Sequence, residues 1–142
     1  MTKITKPLTI MTVIFASTIL SANEDSRKLV ELPVMMQKHM LENMRDHLKA
    51  INEIIHNLSN NEMDKAASIA EHRLGMSSLD SHGASHMGKF MPVGMRQAGT
   101  NMHKAASRFA LKAEEGGLKS AYKSLAEVTS TCVACHSSYR VK

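Results

Sequence analysis

The sequence has no tryptophan, and two tyrosines and three phenylalanines are its only aromatic rings in 142 residues. A core with so few rings must be filled by aliphatic and sulfur-containing side chains, and the twelve methionines suit that role. Methionine is unbranched and flexible, so it fills irregular gaps. Proline occurs only three times. That scarcity, with few β-branched runs, disfavours sheet and favours helix. Cysteine is limited to Cys132 and Cys135. A disulfide between them would close a very small loop and add little stability, because the effect grows with loop length. There is no second cysteine pair to complete a zinc site, which needs about four protein ligands. Long runs of Lys or Arg are absent too, which argues against nucleic acid binding.

What is present fits one globular domain, with 43 % hydrophobic and 22 % charged residues. The N-terminus stands apart. MTKITKPLTIMTVIFASTILSA carries Lys3 and Lys6, an apolar stretch from Leu8 to Leu20 and then small residues. That is the layout of a secretory signal peptide, expected over residues 1–22 with cleavage after Ala22. The apolar run is shorter than the ~20 residues of a membrane span, although an uncleaved anchor is the alternative. Cleavage takes away Lys3 and Lys6 and no acid, lowering the formal charge from +5 to +3 for the mature domain, 23–142. Export to an oxidising compartment follows, in which a disulfide is chemically permitted.

The mature chain divides into four helical stretches. The first runs from about Pro33 to Leu58, with Pro33 suited to the first helical position. Leu41, Met44, Leu48, Ile51, Ile55 and Leu58 recur at steps of three and four, predicting an inward stripe. At 1.5 Å per residue this helix spans roughly 39 Å. Asn60 and Asn61 are N-cap candidates for a shorter second helix carrying Met63, Ala66, Ala67, Ile69, Ala70 and Leu74, with Gly75 as its C-terminal cap. Residues 76–91, rich in Ser, Gly and His, read as a connection with a helical turn. The third helix is expected from Pro92 to Glu115, with Met95, Ala98, Met102, Ala106, Phe109 and Ala113 inward. Gly116 and Gly117 end it. The fourth begins near Leu118 and places Leu118, Tyr122, Leu125, Val128, Cys132 and Tyr139 on one face. Four amphipathic helices with mostly short links predict an all-α, antiparallel four-helix bundle. Its many Ala, Gly and Met positions read either as a small-residue core or as room for a large apolar guest.

Near the C-terminus stands TCVACHSSYRVK, whose C-x-x-C-H is the attachment signature for c-type haem. Cys132 and Cys135 lie one helical turn apart, so both thiols project from one side and can reach the two vinyl groups of one porphyrin. His136, four residues after Cys132, shares that face and can meet the iron. Rival readings are weaker. A histidine-rich metal site would need His82 or His86, which fall in the irregular connection. A thioredoxin-like pair would open a helix in a βαβ pattern, not close a late helix. No carboxylate pair or nucleophile–base arrangement suggests an enzyme site.

On these residues the chain resembles the class II c-type cytochromes, which include cytochrome c′ and its low-spin relatives. The resemblance covers roughly residues 30–142 and is most specific at CVACHSSYR. It implies a four-helix bundle with one covalently attached haem c, thioethers from Cys132 and Cys135, and His136 as proximal ligand. Tyr139 and Arg140 match the aromatic and basic positions that follow the motif. The residue presented by the first helix then sets function. A methionine there implies six-coordinate iron and electron transfer, and Met44 is the expected distal ligand, with Met40 as a second candidate. Leu41 in that place would imply five-coordinate iron that binds nitric oxide or carbon monoxide. Axial ligation is the main lever on haem behaviour. His39, His47, His56 and His103 read as exposed or hydrogen-bonded, with His47 or His39 able to give bis-histidine iron. The arginine that many relatives carry four residues before the distal position is missing here, where Met40 or Gln37 stands. Arg45 is taken as its replacement near a haem propionate, with Lys38 as the alternative. A periplasmic electron carrier, with a redox partner protein there, is the implied function; the resemblance also allows a homodimer.

Overall fold

The computed structural model describes residues 24–142; the expected export segment, 1–22, lies outside the described residues. The described chain is predominantly helical. Its helices are α1 (Val34–Ser59), α2 (Met63–Arg73), the single turn α3 (Ala84–Met87), α4 (Val93–Glu114) and α5 (Leu118–Ser138). Two short strands, β1 (Lys28–Val30) and β2 (Tyr139–Val141), flank this set. None of the described helices is long and apolar enough to cross a membrane.

Local chemistry sets the helix ends. Pro33 and Pro92 occupy the N-cap positions of α1 and α4 in extended conformation, one residue outside the expected start. Proline has no N–H to leave unsatisfied there, and each carbonyl still accepts a first-turn bond, Pro33 from Gln37 and Pro92 from Arg96. Asn60 closes α1 rather than opening α2, donating its side-chain amide to the His56 carbonyl at 3.0 Å. Asn61 then turns with φ 59°, a left-handed conformation that asparagine tolerates. Glu62, not an asparagine, precedes α2. At the other end of α2 the cap is Leu74, and Gly75 is extended. Residues 76–91 form the expected connection, with 3₁₀ turns at Met76–Ser78 and Gly88–Phe90 around α3.

Packing runs α1 on α2, α2 on α4 and α4 on α5, while α1 and α5 make no comparably close approach. The seam is small-residued. Ala66, Ala67 and Ala70 of α2 meet Ala105, Ala106, Ala110 and Ala113 of α4 in one buried cluster that also holds Ile54, Leu58, Phe109, Leu125 and Val128. Alanine lets helix axes come close, and this sets which face of α1 turns inward. That face carries Met40, Asn43, Ala50, Ile54 and Leu58. Leu58 is buried as expected, but the rest of the expected stripe is displaced by one residue. Leu41, Leu48 and Ile55 are 37, 72 and 46 % exposed, and Met44 and Ile51 are half-buried. On α5 the displacement is confined to the first turns: Leu118 and Tyr122 stay exposed and Ala121 and Ser124 are buried, while Leu125 and Val128 are buried as expected.

A second, methionine-rich cluster lies apart from the first: Val30, Leu32, Met40, Met87 and Met95 are buried, with Met36, Met44, Met91, Cys135, Tyr139 and Val141 packed on them. It is held by a strand pairing that helical periodicity could not announce. β1 and β2 run parallel, with Lys28 opposite Tyr139 and Val30 opposite Val141. Tyr139 is thus in a strand, not on the α5 face. The pairing brings the entry to α1 beside the exit from α5.

Arg73 ties α2 to α1 by binding Asp46 through two side-chain hydrogen bonds and Glu53 at 2.6 Å. The Arg73 hydrogen bond holds the Asp46 carboxyl below its ordinary value of 3.8. A depressed acid stabilises the fold above its unfolded pKa and ceases to do so as pH falls through the folded one. Asp46→Asn is therefore expected to lower stability at pH 7 by up to about 1 kcal/mol, the range of exposed pairs. The gap from the wild type should close as pH is lowered past the aspartate range in urea titrations. A gap that widens on acidification would contradict the pairing.

Candidate functional site

Between the two clusters lies a slot in two lobes, of about 420 and 510 Å³. Volumes of this size suit cofactor sites. Met44 and His47 from α1, Gly99 and Met102 from α4, and Cys135 and His136 from α5 line both lobes. Cys132 lines only the second, where it packs on the alanine-rich cluster, whereas Cys135 packs on the methionine-rich one. The C-x-x-C-H turn thus spans both cores and faces α1 across the gap that those two helices leave.

Both cysteines are free thiols. Burial pushes each above the ordinary value, and for Cys135 the neighbouring Cys132 adds to the push. Both therefore stay protonated at neutral pH and are poor spontaneous redox centres. Cys132 also points its sulfur at the Val128 carbonyl at 3.4 Å, within the preceding turn of α5.

The mouth of the first lobe carries three cations, Arg27, Arg96 and Arg140. Arg27 reaches the His136 carbonyl at 3.5 Å and pairs with Asp25 at 2.7 Å, while Arg140 approaches the same Asp25 at 3.4 Å. Arg96 is braced by the carbonyls of Met91 and Gly88, at 2.8 and 3.2 Å. Arg45, the arginine expected here, is exposed and lines neither lobe. It sits on the outward side of α1 once that helix turns by one residue. Lys38 does not line the slot either, and Leu41 reaches only the first lobe, from a partly exposed position. Tyr139 lines the first lobe, and its hydroxyl occupies the space where Gly94 has no side chain.

On the wall of the first lobe three imidazoles pack together. His47 and His82 have ring centroids 4.8 Å apart, His82 and His103 5.4 Å, and His47 and His103 6.2 Å. His103 donates its Nδ1 proton to the Leu74 carbonyl at 2.7 Å. The Ser78 hydroxyl donates to Gly75 and lies 3.4 Å from His82 Nδ1 and 3.5 Å from His103 Nδ1. Asn43 donates to the His82 carbonyl at 3.0 Å, locking the connection onto α1. His47 differs from these two, because its buried Nε2 has no hydrogen-bond partner. Burial, then the positive potential of His82 and His103, lowers His47 to about 4, and burial likewise lowers His82. Both rings are neutral at physiological pH. Among the described residues no group of three or more His, Cys, Asp or Glu converges to hold a metal ion. His86 and His39 stand outside this trio.

Several of these residues escape sequence reasoning. His47, His82 and His103 are far apart in the chain, and Arg27 joins the site only through the strand pairing. Gly99 did leave a signal, a glycine in the interior of a helix, which costs about 1 kcal/mol relative to alanine and so calls for a reason. A Cβ at Gly99 would meet no atom within 4 Å, so the missing side chain leaves the slot open. Gly99→Leu is expected to leave the stability of the chain unchanged or higher while reducing the loading of any planar cofactor. Full loading, measured by absorbance per protein, would show that the slot does not receive it.

No protein-family model, no curated protein and no solved structure matches the chain.

Proposed function

We propose that this protein is an exported monohaem c-type cytochrome that carries electrons, with α1, α2, α4 and α5 forming an antiparallel four-helix bundle around the cofactor. The observation that carries the reading is that Cys135 and His136 line the same slot as Met44, with Cys132 on its second lobe. Three further features fit. Methionine-rich, apolar walls suit a porphyrin plane; Arg27, Arg96 and Arg140 are placed to bind two propionate carboxylates; and Gly99 leaves room for a flat group.

In this reading Cys132 and Cys135 would hold the haem through thioethers, each thiol adding to one vinyl group with its proton kept on the adjacent carbon, and His136 and Met44 would ligate the iron. The haem supplies a one-electron iron couple. Neutral His47 and His82 and the apolar wall would limit water at the cofactor, and Tyr139 lines the first lobe with the arginines. Exposed Leu48 and Val133, which border the second lobe, form the edge that a periplasmic redox partner would meet.

The test is absorbance spectroscopy of protein matured with its export signal. A pyridine haemochrome of the thioether type, with one haem per chain, is expected. The oxidised protein should be low-spin and show the far-red sulfur-to-iron band of methionine ligation. A haem-free protein would sink the reading. A high-spin ferric spectrum with rapid carbon monoxide binding would instead assign the alternative, a five-coordinate gas-binding protein.

A further inference from the structure

We propose that His47 is a second donor for the distal iron position, held one turn from Met44 as a reserve sixth ligand; this rests on the haem reading above. Three observations converge on it. His47 lines both lobes of the slot, as do Met44, Cys135 and His136. Its Nε2 is buried with no hydrogen-bond partner, which costs about 1–3 kcal/mol unless something takes it up. The other two imidazoles of the trio are committed: His103 to the Leu74 carbonyl and His82 beside the Ser78 hydroxyl. His47 alone is uncommitted.

Geometry and chemistry agree. Three residues of helix separate Met44 from His47, a rise of about 4.5 Å along α1 on the same side. The closed-off Nε2 reaches the slot by rotation about the imidazole torsion, which is broad and roughly two-fold. A neutral imidazole is the commonest proximal donor to haem iron and serves equally well on the distal side. Burial first, and then the neighbouring His82 and His103, favour the unprotonated form of this ring. The donors also differ in softness. The Met44 thioether is the softer and suits reduced iron, whereas the His47 nitrogen suits the oxidised state.

The consequence is that loss of Met44 does not open the distal face. Met44→Leu is expected to keep its haem and stay six-coordinate and low-spin, losing only the far-red sulfur band. Carbon monoxide should bind it slowly, because His47 must first leave. Met44→Leu/His47→Leu should be high-spin and bind carbon monoxide at once. Met44→Ala gives the same comparison should leucine hamper loading, and the haemochrome assay is run on every variant. A Met44 variant that is high-spin with haem bound overturns the inference and leaves the cytochrome reading intact. A double variant that stays low-spin also overturns it, because another donor then fills the position. A wild-type protein that is low-spin without the sulfur band supports His47 and displaces Met44 as the resting ligand. A wild-type protein with no haem overturns both readings.

Discussion

Cys132→Ala/Cys135→Ala is expected to abolish covalent haem entirely, so that the denatured, acid-acetone-washed chain shows no haem stain and no haemochrome. The expectation has a physical source in this chain. The two thiols leave α5 one turn apart, toward a slot bounded by two separate hydrophobic clusters. Cys132 belongs to one cluster and Cys135 to the other, so each thioether would fix one side of the ring. A single variant, Cys132→Ala or Cys135→Ala, should keep one bond and bind less haem than the wild type. His136→Ala should separate the two functions of the motif: the thioethers form, but the proximal nitrogen is gone and the low-spin spectrum with it. Haem retained through acid-acetone by the double variant would show that attachment does not run through these cysteines.

Phe109→Ala is expected to be the most destabilising single change outside the motif. Phe109 is 0 % exposed and is the largest fully buried side chain, seated among the alanines of α2 and α4. Small neighbours cannot collapse into the space a phenyl ring leaves, so a loss of about 3–5 kcal/mol is expected. That is a large share of the roughly 5–15 kcal/mol by which domains are stable. Urea unfolding followed by helical circular dichroism, on haem-free protein, measures it. Leu48→Ala is the control. Leu48 is as apolar but 72 % exposed, and its loss should cost no more than about 0.5 kcal/mol. Equal costs for the two would mean that the expected stripe through Leu48, not the observed face through Ala50 and Ile54, packs against the core.

The contrast between those two residues marks the limit of pattern reading. Helix α1 carries apolar residues on more than one stripe, through Leu41 and Leu48 and also through Met40 and Ile54. Periodicity alone cannot choose between them, because both satisfy the helical repeat. The choice is made by the alanine surface of α2 and α4, which accepts a close, small-residued face. The same one-residue turn of α1 carries Arg45 away from the slot and brings His47 onto its wall.

The sequence by itself determined where the long helices lie, because proline entries, the Asn60–Asn61 break and the Gly116–Gly117 stop act within a few residues of themselves. It also determined the chemistry available at the end of α5, since C-x-x-C-H sets two thiols and an imidazole on one face of one helix whatever surrounds it. Only the tertiary structure decided what faces that motif. The strand pairing that delivers Arg27, the approach of His82 and His103 to His47, and the gap between α1 and α5 all join residues distant in the chain. Such contacts depend on which surfaces pack together, and no local repeat records that.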